Sequence, residues 1–222
     1  MLHMKSSFCV YRKYGKRLID IILSFAGLVL LAPFLFVITV WVKLDSKGPA
    51  LFRQKRVGRH KTYFFIMKFR TMIIDTPKDV PTHLLNDPHA HITRCGRFLR
   101  KTSLDELPQL WNIFVGHMSI IGPRPALWNQ EDLIAERDRY RANDMRPGLT
   151  GWAQINGRDE LEIEEKAKLD GDYIKNISFR MDFICFFSTI ATVLRSKGII
   201  EGGTGILKAQ KNIVDEKVVT NR

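Results

Sequence analysis

Residues 21–42 read IILSFAGLVLLAPFLFVITVWV, an apolar segment of 22 residues without a single charge. As a straight helix it would span about 33 Å, which is enough to cross the hydrocarbon core of a bilayer. Pro33, near its centre, removes a helical hydrogen bond and favours a kink. Lysines and arginines flank the segment on both sides, whereas a crossing helix normally has one cation-poor end. The residues therefore favour a re-entrant hairpin broken at Pro33 over a plain membrane anchor, and leave both open.

The net charge of +12 is concentrated around this segment. Residues 1–70 hold 14 Lys and Arg against 2 acidic residues, whereas residues 71–222 hold 21 of each sign. Cations on both sides of an apolar segment are typical of contact with an anionic membrane surface. A nucleic-acid binder would instead carry a basic face with exposed aromatics on its folded domain. We therefore expect membrane lipids, and no nucleic acid, among the partners.

The cysteines indicate a reducing compartment. Cys9, Cys95 and Cys185 are far apart and have no paired spacing. This argues against a disulfide framework and against a structural zinc site.

Two strands are predicted after the apolar segment, over residues 50–54 and 63–72, joined across Gly58. Alternation along the second strand would create an apolar side made of Phe65, Met67 and Phe69. Lys68 and Arg70 would share the opposite side.

Helical spacing predicts a helix over residues 107–118 and another over residues 159–175. The glycine-rich residues 145–158 are expected to form an ordered loop. Residues 183–194 are a second apolar stretch, which is too short to span a bilayer. It could be a core helix or a helix on the membrane surface, and core packing is the preferred interpretation.

Asp105 and Glu106 are adjacent carboxylates that closely follow a cluster of cations in the sequence. The cluster consists of Arg94, Arg97, Arg100 and Lys101. Cations can bind a phosphorylated substrate, and a carboxylate among them can attack phosphorus or hold a metal. A structural alternative is a capping box, in which Ser103 and Glu106 satisfy the free N–H groups at a helix start.

Several stretches together resemble one family, the bacterial sugar transferases, which are monotopic polyprenyl-phosphate phosphoglycosyl transferases. The chain looks most like the small single-domain type, and the resemblance covers roughly residues 14–200. The matching stretches are Lys16-Arg17-Leu18-Ile19-Asp20, Ala32-Pro33, Lys68-Phe69-Arg70-Thr71-Met72, residues 103–110, residues 118–125, residues 146–151 and residues 154–158. Ala32 stands where the family often has a serine.

The resemblance implies an α+β fold, with an N-terminal re-entrant membrane helix hairpin and a compact, mostly helical cytoplasmic domain containing a small β-hairpin. The expected divisions are residues 1–47 for the basic segment and membrane helix, 48–202 for the phosphoglycosyl transferase domain and 203–222 for a polar tail. The implied location is the bacterial inner membrane, with the catalytic domain on the cytoplasmic face.

The implied reaction moves a sugar 1-phosphate from a nucleotide diphospho-sugar, usually a UDP-sugar, onto polyprenyl phosphate, and releases UMP. Asp105 corresponds to the nucleophile of a covalent aspartyl intermediate, and Glu106 to its partner. Both would help to hold Mg²⁺. Lys68, Arg100 and Arg124 would neutralise the substrate phosphates.

Three further positions match the family more weakly. Arg158 and Asn156 are candidates for nucleotide contacts, and Asp170 matches an acidic position to which no role is assigned. Two rival functions remain. Asp170-Gly171-Asp172 could bind the metal of a glycosyltransferase that releases UDP. Alternatively, the chain could be a membrane-anchored scaffold in which the acidic pair only caps a helix.

Overall fold

The computed structural model describes residues 10–77, 88–157 and 161–194. A π-helical turn, Tyr11–Gly15, leads into one long helix, α1, Lys16–Asp45. Within the described ranges, this continuous helical run is the one candidate long and apolar enough to cross a membrane. Helix α1 continues through Pro33 without a break, so the predicted hairpin is not shown.

The N-terminal end of α1 is bonded to the globular part of the protein. Asp20 Oδ1 accepts a hydrogen bond from the backbone N–H of Ile120 at 2.9 Å. Arg17 donates to the carbonyls of Ile113 and Phe114, at 2.7 and 2.8 Å. These carbonyls lie at the end of a helix, where a cation also complements the helix dipole.

The C-terminal end of α1 is bonded to the same globular part. Ile38 and Val42 are almost fully buried in a core cluster that includes Cys95. Asp45 Oδ2 accepts from the backbone N–H of Cys95 at 3.0 Å, and Arg70 donates to the Val42 carbonyl at 3.3 Å. Both ends of α1 are therefore held by one folded unit.

Strands β1, Leu51–Val57, and β2, Tyr63–Phe69, form the predicted antiparallel hairpin. The predicted apolar side of β2 is wrong for Phe65, which is 60% exposed, and right for Phe69, which is buried in the core cluster that includes Cys95. Phe64 and Ile66, on the opposite side, are buried in the main core. Lys68 shares the inward side, since it alternates with these two residues. Arg70 lies just beyond β2 and is buried against the end of α1.

The remaining part of the chain that the structure describes is mostly helical, as predicted. Its elements are α2 (Pro88–His91), α3 (Arg94–Lys101), α4 (Gln109–Phe114), β3 (Ser119–Ile121), α5 (Glu131–Arg139), β4 (Gly148–Thr150), α6 (Trp152–Ile155), α7 (Ile163–Lys175) and α8 (Phe179–Leu194). The stretch over residues 145–158, predicted as a loop, contains β4 and α6 in its described part. Strand β4 pairs in parallel with β3. The helix predicted over residues 107–118 is shorter than expected.

Helix α8 packs into the core along one face only. Cys185 is fully buried, whereas Phe183 and Phe187 are each 51% exposed. The preferred interpretation of this stretch as a core helix therefore holds for one face, and the other face is open and aromatic. Cys95 and Cys185 are both free and buried.

A buried polar cluster ties α8 to the start of α1. Asp182 Oδ2 accepts from Lys16 Nζ and from the Tyr11 hydroxyl, at 2.6 Å in each case. Its other oxygen accepts from the Tyr173 hydroxyl. Because every polar group in the cluster has a partner, the buried charges are compensated.

Candidate active site

The acidic pair lies in a 3₁₀ turn, Leu104–Glu106, between α3 and α4. Ser103 enters this turn in the left-handed region, with φ of 56°. The predicted capping box is absent. The Ser103 hydroxyl is buried without a partner, no side chain caps the turn, and the Glu106 carboxylate bonds elsewhere. The interpretation of Glu106 as a helix cap is therefore wrong.

Glu106 is the central anion of the site. Its Oε1 accepts from Lys68 Nζ at 2.6 Å and from Arg124 Nη2 at 2.9 Å, and its side chain is only 13% exposed. Burial alone would raise its pKa, but the positive charges of Arg124 and Lys68 hold the pKa of Glu106 far below its ordinary value. Glu106 is therefore ionised at any physiological pH.

Asp105 is in a different state from its neighbour. Its carboxylate makes no hydrogen bond or ion pair with any residue that the structure describes, although the residue is only 8% exposed. Burial, with a further contribution from the charge of Glu106, raises the pKa of Asp105 to about 6, against the opposing effect of Lys68. At neutral pH the group is mostly an unpaired carboxylate in a cationic surrounding.

The predicted phosphate-binding cations converge on this pair. Lys68 comes from β2 and Arg124 from the segment after β3, and both contact Glu106. Arg100, at the end of α3, donates from Nε to the Thr71 hydroxyl at 3.1 Å, and its charge lowers the pKa of Asp105. Burial lowers the pKa of Lys68, although Glu106 opposes this change.

A fourth cation of the site, Arg56 of β1, was not among the predicted residues. Its guanidinium donates to Gln54 Oε1 at 2.6 and 3.1 Å and to the Pro125 carbonyl at 3.0 Å. Burial, and then the nearby charge of Arg124, lower the pKa of Arg56 to about 9. Only its cross-strand neighbour, Phe64 on the inner side of β2, could have indicated this location.

The weaker predictions receive less support from the geometry. Asn156 is exposed, and its amide donates to the Trp152 carbonyl at 2.8 Å, at the end of α6. Arg158 lies outside the described residues. Their contacts with a nucleotide stay predictions.

The metal site predicted on the rival Asp-x-Asp triplet does not form. Asp170 is 1% exposed and pairs with Arg137 at 2.6 Å. Asp170 and Asp172 are two positions apart on α7, so their side chains do not face each other. In the described ranges, no group of three or more His, Cys, Asp or Glu side chains could hold a metal ion. Mg²⁺ binding by Asp105 and Glu106 stays a prediction; Mg²⁺ takes one or two carboxylates plus substrate phosphates.

Comparison with known proteins gives the same family as the sequence motifs. The family model described as bacterial sugar transferase matches residues 11–196. The uncharacterized sugar transferase EpsL of Bacillus subtilis (strain 168) is 43% identical, over 74% of this chain and 79% of that protein. The exopolysaccharide production protein PSS of Rhizobium leguminosarum bv. phaseoli is 39% identical, over 82% and 97%.

A longer relative has a more specific name. The UDP-glucose:undecaprenyl-phosphate glucose-1-phosphate transferase of Escherichia coli (strain K12) is 40% identical, over 79% of this chain and 39% of that protein. The chain thus spans about two fifths of the length of this relative, and most of the length of EpsL and PSS.

Proposed function

Because this chain belongs to the bacterial sugar transferase family, we propose that it transfers a sugar 1-phosphate from a UDP-sugar to polyprenyl phosphate. The products are UMP and a polyprenyl diphosphate-linked sugar, which starts the assembly of a lipid-linked glycan. One observation carries the proposal: Glu106 is neutralised by two cations, whereas the adjacent, buried Asp105 makes no ion pair with any residue that the structure describes.

The first step uses Asp105 as the nucleophile. A carboxylate oxygen attacks the sugar-bearing phosphorus of the donor and forms an oxygen–phosphorus bond. The bond from that phosphorus to the bridging oxygen breaks, and the electron pair leaves with UMP. Since the pKa of Asp105 is about 6, the group is mostly deprotonated at pH 7 and needs no separate base.

The second step regenerates the enzyme. A phosphate oxygen of polyprenyl phosphate attacks the same phosphorus, and the bond to Asp105 breaks to restore the carboxylate. In both steps the reaction depends on position and charge neutralisation. Four cationic side chains around the site would bind the transferred phosphoryl group and neutralise its charge. They are Lys68, Arg100, Arg124 and Arg56.

Mg²⁺ is the cofactor that we include in the proposal. Glu106 and Asp105 would hold it together with the diphosphate of the donor, and it would neutralise charge on the departing phosphate. The role of the protein cations does not depend on it, since Lys68 and Arg124 already converge on the site.

The membrane part of the proposal is a re-entrant α1 with the catalytic domain on the cytoplasmic side. Support comes from both ends of α1, since Asp20 and Asp45 bond to the same folded unit. A helix that crossed the bilayer would separate its ends by the whole hydrocarbon core. Between these ends, Val29, Leu30 and Phe36 are 57–77% exposed and available to lipid.

Labelling a cysteine placed before Lys5 tests this topology, in a chain whose Cys9 is replaced by serine. We expect labelling only after the membrane is permeabilised. Labelling of intact cells from outside would contradict the re-entrant helix without touching the proposed chemistry.

The chemistry is tested with donor alone, across a panel of UDP-sugars. We expect one equivalent of UMP per enzyme and a phosphosugar adduct on Asp105, detected by mass spectrometry. Asp105→Asn should give neither product. Asp132→Asn is the matched control, because Asp132 is an exposed carboxylate of α5.

The assay also separates the rivals. Release of UDP would favour a glycosyltransferase, and a wild-type protein that releases no nucleotide from any donor would favour the scaffold. Near-normal turnover by folded Asp105→Asn would end the hypothesis that Asp105 is the nucleophile.

A further inference from the structure

The segment Pro123-Arg124-Pro125 carries a catalytic cation on an unusual piece of backbone. Two of its three residues lack a backbone N–H group, so the segment can donate few backbone hydrogen bonds to the rest of the protein. Its carbonyls are used instead. The Pro123 carbonyl accepts from the Gly148 N–H at 2.8 Å, and the Pro125 carbonyl accepts from Arg56 Nη1 at 3.0 Å.

The middle carbonyl is held by Arg137. Arg137 Nη1 donates to the Arg124 carbonyl at 2.8 Å. Its Nε and Nη2 both bond to Asp170 Oδ2, at 2.8 and 2.6 Å. Arg137 is 3% exposed and Asp170 1% exposed, so α5 and α7 meet at a fully buried ion pair.

A continuous set of contacts therefore runs from α7 to the acidic pair. Asp170 fixes the guanidinium of Arg137, which fixes the backbone of Arg124, and the side chain of Arg124 contacts Glu106 at 2.9 Å. A buried ion pair adds little stability by itself, because desolvation offsets most of the attraction. The hydrogen bond that Arg137 donates to the Arg124 carbonyl is therefore the feature of this pair that indicates a role in the site.

Resting on the proposed function, we infer that Arg137 and Asp170 form a positioning pair that aims the Arg124 guanidinium at the substrate phosphate. Neither residue touches the reacting atoms. Arg137 is buried beside the site and donates to the backbone carbonyl of Arg124. This also gives a role to Asp170, whose charge keeps Arg137 buried and oriented.

The test replaces the pair by apolar residues of similar size, Arg137→Met with Asp170→Leu. Such a replacement generally preserves the fold, whereas removing one partner leaves a buried charge. We expect the kcat for UMP release to fall about 10- to 100-fold, the range caused by a misplacement of about 1 Å. Arg139→Met is the control, since Arg139 lies on the same helix and its side chain is 73% exposed.

A double-mutant cycle with Arg124→Lys separates positioning from a general structural effect. If the pair acts through Arg124, adding the apolar pair to Arg124→Lys should lower kcat by less than about 2-fold. An equal loss in both backgrounds would overturn the inference. So would an apolar-pair variant that is folded and keeps wild-type kcat.

Binding of inorganic pyrophosphate, measured by titration calorimetry, gives a readout that needs no turnover. The apolar pair and Arg124→Lys should each weaken it, and the two together should weaken it no further. A wild-type protein that releases no UMP from any donor would refute the proposed function alone. Unchanged pyrophosphate affinity in the apolar pair would refute the positioning role alone.

Discussion

Asp105→Asn should make the folded protein more stable while it abolishes turnover. The pKa of Asp105 in the folded protein is about 6, compared with an ordinary value of 3.8. Each pKa unit corresponds to about 1.4 kcal/mol. Keeping this buried group ionised at neutral pH therefore costs the folded state about 3 kcal/mol. Asparagine has nearly the same shape and no charge, so it removes most of that cost.

The gain in stability of Asp105→Asn over the wild type should increase with pH. Below about pH 4 the carboxyl is protonated in both the folded and unfolded states, so the variant has no advantage. Between that pH and about 6, the folded wild type binds more protons than the unfolded chain. Wild-type stability therefore falls as pH rises through this window, and the advantage of Asp105→Asn reaches its full value above it.

The measurement is the free energy of unfolding in detergent or nanodiscs, without donor or divalent ions, at pH 4.5 and 7.5. Asp132→Asn should stay within about 0.5 kcal/mol of wild type, as exposed substitutions do. A helix cap would give the opposite sign, a loss of about 1 kcal/mol. A less stable Asp105→Asn at pH 7.5, or a difference independent of pH, would refute the reasoning.

The rate of UMP release should fall about tenfold per pH unit below pH 6, because protonated Asp105 cannot attack phosphorus; a rate that stays flat down to pH 4.5 would contradict this. Glu106→Gln should lower the free energy of unfolding by about 3 kcal/mol, since it leaves the partly buried cations Lys68 and Arg124 without their counter-ion, and an unchanged free energy by denaturant titration would contradict the role of Glu106 as the central anion. Lys16→Met should lower the free energy of unfolding by about 3 kcal/mol, because it leaves the buried charge of Asp182 without its cation, whereas Lys13→Met, at an exposed position, should not. Equal Tm values for the two variants would contradict this prediction. EDTA should abolish UMP release and added Mg²⁺ should restore it, so full activity in EDTA would exclude the cofactor from the proposal.

The acidic pair and three of its cations, Lys68, Arg100 and Arg124, could be predicted from sequence because they lie in short motifs. The contacts of Glu106 with two of these cations could not be predicted. A Ser-x-x-Glu pattern favours a local cap, but Lys68 is 38 positions upstream and Arg124 is 18 positions downstream. A charge-assisted contact with two cations in a buried site is stronger than one bond to a free N–H. The local pattern therefore gave the right residue and the wrong role.

The inward face of β2 could not be predicted for a similar reason. Both sides of this strand carry apolar residues, so alternation alone does not fix the core side. Packing against α4 decides it, since Phe64 and Ile66 lie in the same core cluster as Ile113. Such contacts depend on packing between segments far apart in sequence. The pairing of Arg137 with Asp170 could not be predicted for the same reason, because the two residues are 33 positions apart.

Helix α1 has a thermodynamic consequence for the enzyme as a whole. Since Ile38 and Val42 belong to the core and Asp20 and Asp45 bond to the domain, partitioning of α1 into lipid and folding of the domain are one coupled equilibrium. Lipid that binds the folded state alone shifts this equilibrium by mass action. Bilayer thickness and headgroup composition should therefore act on this enzyme as ligands do. They should set the fraction of molecules that are folded, and not only where the molecules are located.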